Sequence, residues 1–160
     1  MELAIDTSTA IASLALGREG EIVAELTWAT GQNHTVELLP NLDYLLGLAK
    51  ASQDMLTGII VAKGPGSFNG LRVGVATAKG LAFSLGIPLV GIGTLEVEAY
   101  PHLGTGLPVC ALHPAGRGEI AVALFQRRRG RALRLGEEHI TTVEELASRI
   151  SRKTLFCGEI

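Results

Sequence analysis

The chain has 160 residues, of which 47% are hydrophobic and 19% are charged, and its formal net charge is −2. This composition supplies a packed core and excludes a disordered chain, while the net charge excludes a protein that is basic over its whole surface. Aromatic residues make up 4% of the chain, too few for the base-stacking platforms of single-strand-binding proteins.

The elements of the first half alternate strands and helices. They are strands over residues 2–6, 12–16 and 21–28, a helix over 35–51, a strand over 57–63, a helix from the N-cap Ser67 to residue 85, and a strand over 88–92. Pro40 lies inside the first helix, and Gly86 is expected to end the second. The order β-β-β-α-β-α-β is typical of the ribonuclease-H-like fold, a mixed sheet covered by helices.

The second half repeats this order in shorter form. Residues 100–108 are rich in proline and glycine and predict a linker between a first lobe, residues 1–99, and a second lobe, residues 109–160. The second lobe predicts strands over 109–113, 119–125 and 132–140, a helix from a capping box at Thr142 to residue 152, and a strand over 153–157. Two such lobes in tandem form the actin-like ATPase architecture of the α/β class, here with a reduced second lobe.

The compartment follows from the cysteines and the absence of targeting signals. Cys110 and Cys157 have no metal-type spacing and are expected to be buried, reduced thiols, which suits a cytosolic protein. The N-terminal residues 1–6 lack the basic start of a signal peptide, and the longest uncharged stretches are broken by proline and glycine. We therefore expect a cytoplasmic protein without membrane contact.

The segment over residues 63–74 is rich in glycine. Its spacing fits neither the phosphate-binding loop nor the dinucleotide fingerprint. Amides at a helix N-terminus attract anions, so an anion or nucleotide contact stays open beside a plain strand-to-helix turn. The residues of that possible contact are Asp6, Gly64, Gly66 and Ser67.

The helix after this segment carries a stripe of small residues spaced by four. A glycine inside a helix costs about 1 kcal/mol relative to alanine, so two of them indicate the close approach of another backbone. That backbone belongs either to the protein's own sheet or to a second molecule. The second alternative predicts a partner surface on the two helices of the first lobe, formed by Leu38, Leu39, Leu42, Leu45, Leu46, Gly70, Leu71, Gly74, Ala78 and Ala82.

Side chains that could carry catalysis are sparse. Asp6 ends the first strand, where this fold usually places an active-site carboxylate, but the matching place in the second lobe, residues 113–116, has no acid. The four histidines form no helical zinc pair, and no G-x-S-x-G elbow is present. We therefore assign no catalytic residue and no metal ligand. Asp6 is expected to cap the following turn, and His34 to start the first helix.

One run of positive charge stands out between two predicted strands. Five arginines, Arg127, Arg128, Arg129, Arg131 and Arg134, surround Gly130 and predict a hairpin tip. The run is either a solvated turn or a phosphate-contacting patch, with Arg127, Arg128 and Arg129 as the candidate RNA contacts.

Three segments together resemble a known family. Residues 4–9 (AIDTST), 34–40 (HTVELLP) and 64–74 (GPGSFNGLRVG) with 78–82 (AKGLA) occur in the order and at the separations of the TsaB (YeaZ) family. The resemblance covers about the first 100 residues. The family has Thr where Asn69 stands and an Asp-Ala-Arg-type stretch where residues 113–117 read HPAGR, and its members commonly continue beyond the position of this C-terminus.

The resemblance implies a non-catalytic scaffold in the formation of N6-threonylcarbamoyladenosine at position 37 of tRNAs that read codons beginning with A. It implies partnership with the catalytic paralogue TsaD and the ATPase TsaE, a homodimer when the protein is alone, and contact with tRNA through the complex. It implies no cofactor on the chain alone, with ATP or ADP only at the partner interface. Two alternatives stay open: an M22-type glycoprotease, as older family names state, and a stand-alone ATP-binding phosphotransferase of the actin-like fold.

Overall fold

The computed structural model describes residues 1–31 and 33–159. The chain divides into two compact units, Met1–Ile92 and the residues from Gly93 onward, so the division falls before the predicted end of the first lobe at residue 99. Among the described residues, none of the helices combines the length and apolar character needed to cross a bilayer.

The first unit has the predicted mixed sheet. Its elements are β1 (Glu2–Asp6), β2 (Ile11–Arg18), β3 (Glu21–Ala29), α1 (His34–Leu48), a 3₁₀ turn (Gln53–Met55), β4 (Gly58–Ala62), α2 (Phe68–Leu85) and β5 (Leu89–Ile92). The strand order is β3-β2-β1-β4-β5, with β1, β2 and β3 antiparallel and with β4 and β5 parallel to β1. This order confirms the ribonuclease-H-like topology predicted from the sequence.

Local sequence signals set the ends of α2. The Ser67 hydroxyl accepts a hydrogen bond from the Gly70 N–H at 3.3 Å, which satisfies one free amide of the first turn. Gly86 ends the helix at φ +64°, a left-handed conformation that glycine adopts without strain. Both predicted ends of this helix are confirmed, whereas α1 continues through Pro40 without a break.

The small-residue stripe of α2 packs on the protein's own sheet. Thr7, directly after β1, donates from Oγ1 to the Gly70 carbonyl at 2.8 Å. A Cβ atom at Gly70 would overlap the Thr7 carbonyl oxygen, and one at Gly74 would overlap Thr7 Oγ1. Ala78 and Ala82 continue the same buried face. The two glycines are therefore required by the turn after β1, within the unit itself.

Most of the predicted partner surface is wrong for this reason. Four leucines of α1 and four small residues of α2 are buried in the core of the first unit: Leu38, Leu42, Leu45, Leu46, Gly70, Gly74, Ala78 and Ala82. Their side chains or backbone pack within the same unit, so they offer little surface to a partner. Of the predicted set, Leu39 is 51% exposed and Leu71 is half-buried, and these two remain open to a partner.

The second unit repeats the strand arrangement of the first in reduced form. Its elements are α3 (Thr94–Ala99), a 3₁₀ helix (Tyr100–Thr105), β6 (Val109–Gly116), β7 (Glu119–Arg128), β8 (Arg131–Arg134), β9 (His139–Thr141), α4 (Val143–Arg149) and β10 (Leu155–Gly158). The sheet order is β10-β6-β7-β8, with β9 also on β7 and β10 parallel to β6. This matches β4-β1-β2-β3 of the first unit.

Two predictions for the second half are corrected by the structure. Residues 100–105 are helical, and Leu103 is buried with Leu95 and Ala99 in the second core, so the predicted linker is part of the second unit. The predicted strand over residues 132–140 is two strands on the same edge of β7. Gly136, at φ +106°, lies in the break between them.

The two cysteines belong to the second unit and are both free. Burial raises the pKa of the Cys110 thiol to about 11. Burial, with smaller contributions from Glu98 and Cys110, raises the pKa of the Cys157 thiol to about 11. The Cys157 thiol donates to the Glu98 carbonyl at 3.6 Å, which holds it within the core.

The stripe generates a paired prediction about stability. Gly70→Ala places a methyl group against the Thr7 carbonyl and should lower the free energy of unfolding by about 1–3 kcal/mol or more. Gly80→Ala is the matched control, because Gly80 is an exposed residue of the same helix with open space around its Cβ position. It should stabilise the protein by about 1 kcal/mol. Urea unfolding of both variants measures the difference, and equal effects would contradict the assigned packing.

The thiols generate a prediction about pH. Unfolded cysteines ionise at a pKa of about 8.5, whereas the folded thiols keep their protons to a pH of about 11. Between these values the folded state binds more protons than the unfolded state, so stability should fall as the pH rises. Urea unfolding from pH 7 to pH 11, compared with the Cys110→Ala/Cys157→Ala double variant, isolates this effect. The double variant should lose less stability over that range, and identical profiles would contradict the thiol burial.

Candidate functional site

The turn after β1 is closed by its own hydrogen bonds. Asp6 Oδ1 accepts from the Ser8 N–H at 2.9 Å and from the Ser8 hydroxyl at 2.6 Å. Aspartate often forms such a turn with the backbone two residues onward. The carboxylate that this fold usually places in an active site therefore caps its own turn here, as its position in the sequence predicts.

The segment that leads into α2 lies directly against this turn. The Ser67 N–H donates to the Ser8 carbonyl at 2.6 Å, and a Cβ atom at Gly66 would overlap the same carbonyl oxygen. Gly64 is at φ +106°, which favours glycine. Of the four residues predicted as an anion or nucleotide contact, Asp6, Gly64 and Gly66 thus serve the junction between the turn and α2.

Ser67 also lines an open cleft of about 540 Å³ at the beginning of both helices. The lining residues are Thr9, Ala10, Thr30, Gly31, His34, Ser67 and Asn69. His34 is the first residue of α1, as predicted, and its ring lies against Gly70. Sequence reasoning identified Ser67 but not the threonines or Asn69, because Thr9 and Thr30 come from two loops and Asn69 from the first turn of α2, and only the folded chain brings them together.

The outward face of α1 and α2 carries a second candidate site. Two shallow grooves of about 450 and about 390 Å³ share Arg72 and Ala76. Their lining residues are Thr35, Leu38, Leu39, Phe68, Asn69, Leu71, Arg72, Val73, Val75, Ala76, Thr77 and Lys79. Phe68 is 72% exposed, and the Arg72 guanidinium lies 5.4 Å from its ring centroid, which is cation–π geometry.

The sequence holds a signal for this outward face. Residues two positions along a helix point to opposite sides, since each residue turns the helix by about 100°. Arg72 and Ala76 lie midway between the members of the buried stripe and must therefore face away from the sheet. The predicted partner surface used the buried face of α2, and the outward face is the opposite one.

The second unit holds one cluster of titratable side chains near its core. His113 Nδ1 lies 3.8 Å from Glu98 Oε1, and Cys157 lies beside Glu98. Burial raises the pKa of the Cys157 thiol, which is the opposite of the lowered pKa that a nucleophilic cysteine needs. Over residues 1–31 and 33–159, no three His, Cys, Asp or Glu side chains are placed to hold a metal ion.

The arginine run lies where the sequence predicts it, at the tip of a hairpin. Arg127 and Arg128 end β7, Arg129 is in the turn, and Arg131 and Arg134 begin and end β8. All five side chains are exposed. Their charges therefore face solvent, where they are open to an anionic partner.

Comparison with known proteins agrees with these features. The model of the family described as "TsaD: tRNA N6-adenosine threonylcarbamoyltransferase" matches residues 21–154. The chain is 38% identical over 128 residues to the tRNA threonylcarbamoyladenosine biosynthesis protein TsaB of Bacillus subtilis, covering 80% of this chain and 56% of that protein. It is 33% identical over 127 residues to TsaB of Escherichia coli, covering 78% of this chain and 54% of that protein. The chain thus spans about half the length of the curated relatives it matches.

A solved structure extends the similarity to the fold. YeaZ from Pseudomonas aeruginosa superposes with a TM-score of 0.79 at 29% identity, covering 94% of this chain and 69% of that chain. The family model covers most of the sequence, and its relatives and structural neighbour carry the names that the three sequence segments indicate. This chain, with its mixed α/β units of the actin-like ATPase class, belongs to the TsaB (YeaZ) family.

Proposed function

We propose that this protein is a cytoplasmic accessory subunit in the formation of N6-threonylcarbamoyladenosine in tRNA, and that it has no catalytic chemistry of its own. The observation that carries the proposal is its relation to proteins named for threonylcarbamoyladenosine biosynthesis, at 38% and 33% identity. The modified position is position 37 of tRNAs that read codons beginning with A, as the family resemblance implies.

The geometry of the first unit supports a non-catalytic role. Asp6 is the one acid at the carboxyl end of β1, and two hydrogen bonds from Ser8 occupy one of its oxygens. The loop before α2 packs on that turn, and the Ser67 N–H donates to the Ser8 carbonyl. This amide is therefore already paired within the protein and is not free to bind a ligand phosphate. These residues stabilise the fold where a phosphotransferase of this fold would bind its substrate.

The outward face of α1 and α2 supports a role in assembly. The larger of its grooves is mostly apolar, and Leu39 and Phe68 are exposed beside it. We propose that this face binds the TsaD paralogue, and that it also forms the homodimer when the chain is alone, so that the two assemblies compete. TsaE joins this complex, tRNA is reached through it, and ATP or ADP is bound only at the partner interface.

The proposed function predicts that tRNA threonylcarbamoylation depends on this chain, although the chain alone catalyses no reaction. A reconstituted tRNA threonylcarbamoylation reaction should require this chain, and the purified chain should hydrolyse neither ATP nor a peptide above a blank. Asp6→Asn keeps one acceptor oxygen for the Ser8 turn, so the variant should fold and should support the reconstituted reaction at the wild-type rate. Turnover by the chain alone that Asp6→Asn abolishes would show an enzyme instead.

The proposed partner surface predicts the effect of one added side chain. Ala76 is exposed and lies in both grooves, so Ala76→Arg should change the free energy of unfolding by no more than about 0.5 kcal/mol. It should weaken binding to TsaD at least about tenfold, which is about 1.4 kcal/mol. Ala147→Arg is the matched control on an exposed position of α4 and should leave binding unchanged. Calorimetric titration with TsaD measures both, and equal affinities would place the interface elsewhere.

A further inference from the structure

The β7–β8 hairpin concentrates positive charge on a net-acidic protein. Five arginines lie within eight residues, Arg127, Arg128, Arg129, Arg131 and Arg134, on a chain whose net charge is −2. We name residues 126–134 the arginine hairpin. Within the described residues, the one ion pair closer than 4.0 Å is that of His113 and Glu98, so no carboxylate is paired with these arginines.

The tip of the hairpin stands free of the rest of the sheet. The pairing of β6 with β7 begins at Val109 and Phe125, so Arg127 and Arg128 pair with β8 alone. The turn has two residues, Arg129 and Gly130, both with positive φ, which is the tight type I′ geometry. Arg127, Arg128, Arg129 and Arg131 are therefore presented on a short two-stranded ribbon, and Arg134 lies at its base, opposite Phe125, where β7 also pairs with β6.

The register places arginines on both faces of this ribbon. Arg128 lies directly opposite Arg131, so their side chains share one face. Arg127 and Arg134 lie opposite Ala132 and Phe125 and share the other face. Two like charges directly opposite each other destabilise an antiparallel pair, and over residues 1–31 and 33–159 no carboxylate lies within 4.0 Å of Arg128 or Arg131. A ligand that supplies negative charge to that face would remove this cost, and a ligand that also reaches Arg127 must extend to the other face.

We propose that the arginine hairpin binds folded RNA by entering the groove between two phosphate backbones. A flat anionic surface, such as a bilayer or an acidic protein face, meets only one face of a ribbon. The groove of an RNA helix has phosphate rows on two sides, which fits arginines on two faces. That the RNA is tRNA rests on the proposed function, whereas the binding geometry rests on the hairpin alone.

The test measures RNA binding by the chain itself at increasing salt. The probes are a tRNA transcript and an RNA hairpin of about 16 base pairs. Fluorescence anisotropy measures the affinity of the chain for each probe from about 50 to about 200 mM salt. Two double variants each remove the arginines from one face of the hairpin: Arg128→Ser/Arg131→Ser and Arg127→Ser/Arg134→Ser. Arg149→Ser/Arg152→Ser, at the end of α4 and just beyond it, removes the same charge from exposed positions elsewhere in the same unit.

Both hairpin variants should weaken binding and reduce the slope of log K against log salt by about 0.9 for each lost phosphate contact. The control should retain most of the wild-type slope. An effect confined to one face overturns the groove geometry in favour of a flat partner. Wild-type slopes in both hairpin variants, or no RNA binding by the wild type, overturn the proposal outright.

A single substitution separates binding from folding. Arg129→Asn creates the Asn-Gly turn that type I′ geometry favours, so the melting temperature should stay the same or rise while RNA binding weakens. Glu19→Asn is the control, because Glu19 and Gly20 form the equivalent turn between β2 and β3. It should not weaken binding. If the reconstituted tRNA reaction proves independent of this chain while the salt slopes behave as expected, the proposed function fails and the RNA-binding hairpin stands.

Discussion

The contact between Thr7 and the first turns of α2 determines how the first unit is built. The Thr7 hydroxyl reaches the Gly70 carbonyl at 2.8 Å because neither Gly70 nor Gly74 carries a side chain at the contact. This close approach holds the beginning of α2 beside the end of β1. The Asp6–Ser8 turn, the junction at Ser67 and the cleft beside His34 all take their positions from it.

The same contact shows what the sequence could and could not predict. Glycine inside a helix costs stability relative to alanine, so two glycines at a spacing of four indicate that a backbone approaches the helix closely. The sequence does not identify the backbone that approaches, since Thr7 lies 63 residues away from Gly70 along the chain. The order of the elements, the ends of α2 and the hairpin position depend on neighbouring residues, and these were predictable.

The second unit shows a different limit. Proline and glycine over residues 100–108 indicate a linker, yet Leu95, Ala99 and Leu103 recur at a spacing of four and are all buried in one core. That spacing indicates a helical segment with one buried face. The segment is helical despite its proline and glycine, because burying these apolar side chains stabilises it more than a glycine destabilises it. The split of the predicted strand is the opposite case, in which residues 135–138, with Gly136 at φ +106°, separate β8 from β9.

The two faces of α2 cannot be exchanged, and this constrains how the protein can associate. The inner face is made of small residues because the turn after β1 lies against it, so it adds little apolar area to any interface. The outer face, with Phe68 and Arg72 stacked and Ala76 between two grooves, is free of that constraint. A substitution on the inner face changes the packing on the turn after β1, whereas one on the outer face leaves that packing intact. Effects on folding and effects on association can therefore be tested separately, one residue at a time.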